Sequence, residues 1–255
     1  KLDENRALVI SRDISTRKKL EKELRKAKDA AESATRAKSN FLATMSHEIR
    51  TPMNGVVGMI SLLSETELSE EQQEYVETIQ ASSDTLLRII NDILDYSRIE
   101  SGKLAFEENL FYLKKVIDDS ISLVKFEAQK KGIIVNAVID EKVPNFIRTD
   151  RGRLRQVILN LLSNAVKFTE HGSIILSAEV EKLSEKYVVL QFKVKDTGIG
   201  IPKEKLNGLF NEFTQVDSSH SRKFGGTGLG LTISNRLLNF MGSSLHVESK
   251  LNQGS

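Results

Sequence analysis

Cysteine and tryptophan are absent from this chain of 255 residues, and proline occurs only three times. Without cysteine there are no disulfides and no thiol catalysis, and a reducing compartment, the cytoplasm, is expected. No apolar run approaches the ~20 residues that a membrane-crossing helix needs. The opening stretch KLDENRALVISRD also lacks the continuous apolar region of a signal peptide. An excess of one charge is missing too: 37 Lys and Arg stand against 35 Asp and Glu, a net charge of +2. That excludes the basic footprint of a nucleic-acid binder. Neither nucleic acid nor membrane is therefore expected to touch this chain. What it does have is 39% hydrophobic residues, enough for a real core in one large or two ordinary domains.

Hydrophobic periodicity divides the chain near residues 101–105. Residues 7–10, ALVI, read as a short strand. From Ser15 to about Lys38 the chain is rich in Lys, Glu, Arg and Ala, with Leu20, Leu24, Ala27, Ala31 and Ala34 spaced as a coiled-coil seam. Extending that register reaches Phe41, Met45 and Glu48, and leaves His47 pointing to solvent. A second helix is expected from the Ser69/Gln72 capping box to about Arg98, stopped at Gly102. Two long helices joined by a short loop form an antiparallel hairpin. Its apolar stripe predicts a homodimer closing a four-helix bundle.

Beyond Gly102 the pattern becomes α/β. Strands are expected at 104–106, 133–139, 145–148, in two runs within 173–196 and at 244–249. Helices are expected at 113–131, after the Asp150 cap, at 203–209 and at 229–241. The fold class is thus a helical hairpin followed by a two-layer α/β sandwich.

Four stretches carry chemistry. In FLATMSHEIRTPMNG (41–55) an exposed imidazole at His47 can act as a nucleophile, with Glu48 to hold the proton of its other nitrogen. Pro52 removes a helix hydrogen bond from the Glu48 carbonyl, so a bend is expected just beyond the His. The alternative is a surface His on a coiled coil. In QVILNLLSNAVKF (156–168), Asn160 and Asn164 share a helix face and offer amide oxygens suited to Mg²⁺, with Lys167 to meet phosphate. Otherwise they are two buried amides satisfied by backbone. In KDTGIGIP (195–202), Asp196 can accept from an exocyclic amine, and the spaced glycines allow close approach of a flat ligand, unless this is an ordinary turn. FGGTGLGL (224–231) runs into a helix N-terminus and favours an anion over a linker role.

Taken in order, SHEIRTPMNG, NLLSNAVKFT, DTGIGIP, FNEFTQVD and GGTGLGL resemble the H, N, G1, F and G2 boxes of sensor histidine kinases, over roughly residues 38–250. The closest resemblance is to the subgroup common in hybrid kinases. It implies a dimerisation and phosphotransfer hairpin (39–101) and an ATP-binding domain of the Bergerat, or GHKL, type (102–255). A signalling coiled coil (15–38) and the end of a PAS-like sensor (1–14) would precede them. Box by box, it implies that His47 is the phospho-acceptor with Glu48 as acid/base partner, and that Asn164 binds Mg²⁺. Asn160 and Lys167 would lie near the phosphates of ATP, and Phe168 near the nucleoside. Asp196 would bind the adenine amine in a pocket shaped by Gly198 and Gly200. Thr227, Gly228, Leu229 and Gly230 would close over the phosphates, with Phe210 and Phe213 anchoring a long polar lid. The expected partners are a second copy, an upstream sensor and a response-regulator receiver domain, in cis or in trans.

Asn160 stands where hydrolysing relatives such as gyrase-like and MutL-like ATPases carry a Glu that activates water. An amide cannot be a general base, which favours transfer to His47 over hydrolysis. Glu48-Ile49-Arg50-Thr51 resembles the E-x-x-T pattern of kinases that also dephosphorylate their regulator, so Thr51 is a candidate to orient water. The rivals are a GHKL ATPase and a degenerate dimeric scaffold. Ser243 replaces a glycine often found after Met241-Gly242, and NQGS stops before a final strand that relatives usually have, so a longer sensor, membrane-attached or not, is expected.

Overall fold

The computed structural model describes residues 15–102, 104–206, 208–210 and 228–255. The expected strand at 7–10, the PAS-like end, Phe213 and Thr227 lie outside the described residues.

Helix α1 (Ser15–Ser64) and helix α2 (Glu70–Glu100) form the hairpin. Lys, Glu, Arg and Ala favour helix over the first half of α1, and Pro52, followed by Gly55 and Gly58, lies inside the helix without ending it. Thr51 spans the proline's turn by donating its hydroxyl to the His47 carbonyl (3.1 Å). Ser69 caps α2 through the expected box, accepting from the Gln72 N–H while the Gln72 side chain accepts from Ser69 N–H. Within one chain the helices meet through Ser46 and Ile60 of α1 and Val76, Ser83, Ile90, Leu94 and Ser97 of α2. The sequence register through Phe41, Met45 and Glu48 is therefore not the intrachain seam. It is a second stripe, one position over. Phe41, Met45, Ile49, Val56, Met59 and Leu63 stay exposed along it, as do Ile79 and Leu86 of α2. Among the described residues no helix is long and apolar enough to cross a membrane.

The rest is a two-layer sandwich. In chain order it comprises β1 (Asn109–Tyr112), α3 (Leu113–Lys130), β2 (Ile133–Ile139), β3 (Phe146–Thr149) and α4 (Arg151–Phe168). β4 (Gly172–Leu183), β5 (Val188–Asp196), the single turn α5 (Lys203–Leu206) and α6 (Gly230–Phe240) follow. β2 pairs parallel with β4, which pairs antiparallel with β5, while β1 and β3 make a separate antiparallel pair. One face of the three-stranded sheet buries Ile174, Leu176 and Ala178 against Ile117 of α3 and Ile158 and Leu162 of α4. This packing leaves the opposite face of α4 to the candidate site.

Two expected strands are absent. Leu104–Phe106 forms no ladder, because Leu104 is buried beside α6 and Phe106 packs edge-on to Phe240 at 6.1 Å. Residues 244–249 also lack a ladder. The chain instead turns through Asn252, at φ 60°, and Gly254, and returns to bond Asp196 N–H through the Ser255 carbonyl (2.9 Å).

Candidate active site

Helix α4 is the base of the candidate site. Asp150 fixes its first turn, accepting from the N–H groups of Arg153 (3.0 Å) and Glu107 (3.2 Å). At the other end, Lys131 donates to the carbonyls of Val166 (2.7 Å) and Lys167 (3.4 Å), satisfying C-terminal acceptors of the helix. Between these anchors Asn160, Asn164 and Lys167 fall on one face, all half-buried. Asn160 donates its amide to Ser234 of α6 (2.8 Å), which settles its orientation. Among the described residues the amide of Asn164 has no hydrogen-bond partner. Burial, and then the nearby Arg88 guanidinium of α2, hold the Lys167 ammonium below its usual pKa. Its Nζ lies 4.9 Å from the Phe168 ring centre.

Glycines line the rim because side chains would not fit. A Cβ on Gly230, the first residue of α6, would stand 2.5 Å from Asn160 Oδ1. One on Gly198 would collide with the Phe168 carbonyl, which accepts from Ile199 N–H at 3.1 Å. Gly200 packs against the Lys250 carbonyl, and Gly228 holds a positive φ of 70° before α6. The Leu229 side chain is buried between α2, α4 and α6, so it anchors the start of α6. Phe210 supplies a carbonyl to the Thr232 hydroxyl (3.2 Å).

Asp196 ends β5, and the turn that follows it bonds the end of α4. Burial raises its carboxyl above the ordinary 3.8, against the opposing effect of backbone hydrogen bonds from Gly198 and Ser255. Its Oδ1 accepts from Gly198 N–H at 2.8 Å. A half-buried carboxylate with spare acceptor capacity, set beside glycines, suits a flat heterocycle bearing an amine.

His47 and Glu48 are exposed on α1. Among the described residues no hydrogen bond, ion pair or ring contact joins the His47 side chain to the residues of the candidate site. The structure thus brings together Asn160, Asn164, Lys167, Phe168, Asp196, Gly198 and Gly230, and leaves His47, Glu48 and Thr51 on a separate element.

Sequence reasoning missed Ser234, Ser255 and Lys131, whose roles depend on distant partners. It also missed Asp95, Arg153 and Gln156, which join the hairpin to α4. The signal for Asp95 was present, as an acid inside the apolar run IINDILDYS.

A family model described as the His Kinase A (phospho-acceptor) domain matches residues 37–102. A second, described as histidine kinase-, DNA gyrase B-, and HSP90-like ATPase, matches residues 149–255. The chain is 45% identical over 233 residues to the signal transduction histidine-protein kinase BarA of Escherichia coli (strain K12), covering 91% of this chain and 25% of BarA. It is 44% identical over 243 residues to hybrid signal transduction histidine kinase B of Dictyostelium discoideum, covering 95% and 12%. The crystal structure of full-length ShkA in complex with AMPPNP is similar with a TM-score of 0.67 at 37% identity, covering 84% of this chain and 43% of ShkA. The chain spans a quarter or less of the length of these curated relatives.

Proposed function

The chain belongs to the histidine kinases, of which it is a catalytic core, and from that premise we propose that it transfers the γ-phosphoryl group of ATP to His47 and then to an aspartate of a receiver domain. The observation that carries this reading is an exposed imidazole in a phospho-acceptor module, combined with an amide at the position where hydrolysing relatives need a base. Asn160 is that amide, and its bond to Ser234 commits it to a structural task. Neither its oxygen nor its nitrogen can deprotonate water.

The chemistry follows from positioning. A lone pair on one His47 nitrogen attacks phosphorus, the bond to the ADP oxygen breaks, and the proton on the other nitrogen is held by Glu48. Asp196 accepts from the adenine amine, Gly198 and Gly200 admit the ring, and Phe168 flanks the nucleoside. Lys167 and the N–H groups of Gly228, Leu229 and Gly230, with Thr227 before them, meet the phosphates. The unpartnered, half-buried amide of Asn164 fits a hard cation, so Asn164 would hold Mg²⁺. The ion would neutralise charge on the phosphates. Thr51 is the candidate for regulator dephosphorylation. Its hydroxyl now rests on the His47 carbonyl and can rotate toward water one turn from the imidazole.

The division of the chain belongs to the same proposal: a coiled coil to residue 38, a phosphotransfer hairpin over 39–101 and an ATP-binding domain over 102–255. Pairing with a second copy is supported by the exposed apolar stripe on α1 and α2. A sensor upstream, a receiver domain in cis or in trans and action in the cytoplasm complete the reading.

The test is incubation with γ-labelled ATP and Mg²⁺ beside His47→Gln and Asn164→Ala. Acid-labile, alkali-stable label that both variants lose is the expected result. Steady phosphate release that His47→Gln leaves untouched would point to an ATPase instead.

A further inference from the structure

The ATP-binding domain is seated on the hairpin by two kinds of contact. One is apolar: Leu104, Val157, Leu229, Ile233 and Leu237 form a buried cluster against Ile93, Tyr96 and Ile99 of α2. Apolar contact of this sort is strong but non-directional, and does not choose between neighbouring registers. The other is polar and directional. Asp95 of α2 accepts from Gln156 Nε2 through one carboxylate oxygen (2.7 Å) and from Arg153 Nη1 through the other (3.4 Å). Arg153 Nη1 also donates to Gln156 Oε1 at 2.9 Å, closing a three-membered network. The Asp95 and Arg153 side chains are only 16% and 21% exposed, so solvent screens the pair weakly.

The position of this network along the hairpin gives it meaning. Lys38 bonds Glu100 (2.9 Å) and Arg50 bonds Asn91 (3.1 Å), which fixes the level of α1 against α2. By that register Asp95 lies opposite about residue 45 of α1, roughly 3 Å along the axis from His47 at 1.5 Å per residue. The α2 stretch from Arg88 to Asp95 therefore brackets the level of His47. Helix α4 starts at the Asp95 network and carries Asn160 and Asn164 about one and about two turns beyond Gln156.

We propose that Asp95, through Arg153 and Gln156, is a register pin for phosphoryl transfer: it sets the height at which the phosphate-binding face of α4 meets His47. It is a positioning residue, since among the described residues none of the three side chains bonds the side chain of Asn160, Asn164 or Asp196. The inference rests on the kinase reading above. In a two-fold bundle whose axis follows the helices, both copies of His47 share one level, so the pin serves transfer within or between subunits alike. Displacing a reactant by about one ångström can cost about a hundredfold in rate, whereas the binding of ATP to its own domain is indifferent to that height.

The test compares Asp95→Ala, Arg153→Ala and the charge-swapped pair Asp95→Arg/Arg153→Asp in the full chain. Titration with Mg·ADP reports nucleotide affinity, and single-turnover labelling at His47 reports transfer. In both single variants the expected result is a fall of about tenfold or more in the transfer rate, with ADP affinity unchanged. The swapped pair should recover much of the rate, because Gln156 can turn its amide to present oxygen to the new guanidinium. Single variants that transfer as fast as the parent, or faster, would overturn the pin. So would an equal loss of ADP affinity, which would mean that Asp95 acts through the folding of the ATP-binding domain. The parent protein in the same assay separates the two ideas: absence of label there counts against the kinase reading, not against the pin.

Discussion

Asp196 faces a conflict that its surroundings only partly relieve. Burial favours the neutral acid, while the nucleotide recognition proposed for Asp196 needs the carboxylate to accept a hydrogen bond. Its pKa is raised above the ordinary value, so protonation begins at a higher pH than for a surface aspartate. Affinity for ADP should then fall as pH drops through that raised pKa. The sign for folding is the reverse: a carboxyl whose folded pKa is raised burdens the folded state above that pKa, and acidification relieves the burden. Nucleotide titrations against pH report the first effect and urea melts the second, with Asp196→Asn as the reference lacking the titration. A second prediction concerns Gly230. An alanine there drives its methyl into the Asn160 amide and off the bond to Ser234. Autophosphorylation should fall about tenfold, with little change in the thermal melt, because the displaced group is the end of a side chain. Asn160 and Asp196 were legible as functional types in the sequence. Ser234 was not, because it lies on another helix and serine within an apolar helix is unremarkable.

Helix α4 shows how far local rules reach. Its start was readable from Asp150 and its extent from the apolar period, and both agree with the structure within a residue. Asp150 does more than cap, since it also accepts from the N–H of Glu107 and so ties the preceding segment to the helix. Asp150→Ala should therefore destabilise the ATP-binding domain by about 1–2 kcal/mol, seen as a lower urea midpoint with an unchanged slope. Helix α1 marks the limit of such rules. Its sequence holds two adjacent apolar stripes, and periodicity alone does not say which one meets α2. The packing assigns Ser46 and Ile60 to α2 and leaves Phe41, Met45 and Met59 outside. The segment at 244–249 fails for a related reason: alternation describes a strand's faces but does not supply the neighbour that a strand must bond.

For the whole molecule, the exposed stripe and the pinned ATP-binding domain define two surfaces with different tasks. Met59 is 70% exposed and Leu62 60% exposed in a single chain, far too much for large apolar groups on a long helix without a partner. Ile79 and Leu86 continue this stripe on α2, away from the contact with the ATP-binding domain. The double variant Ile79→Glu/Leu86→Glu should sediment as a monomer while binding ADP as the parent does. If phosphoryl transfer passes between subunits, mixing it with His47→Gln protein restores no label. If transfer stays within a subunit, residual label persists in the monomer.

Sequence by itself determined the chemistry and the order of parts: an exposed histidine on a helical hairpin, then an amide-bearing helix, a carboxylate beside spaced glycines, and a glycine-rich turn into a helix. These are local properties, fixed by residue type, spacing and the rules for starting and stopping helices. Tertiary structure alone decided which groups meet. Ser234 holds Asn160, the returning chain end at Ser255 braces Asp196, and Asp95 grips Arg153 and Gln156 across about sixty positions of chain. Such pairings follow from how helices and sheet pack around a shared core, a property of the whole chain that is not contained in any stretch of it.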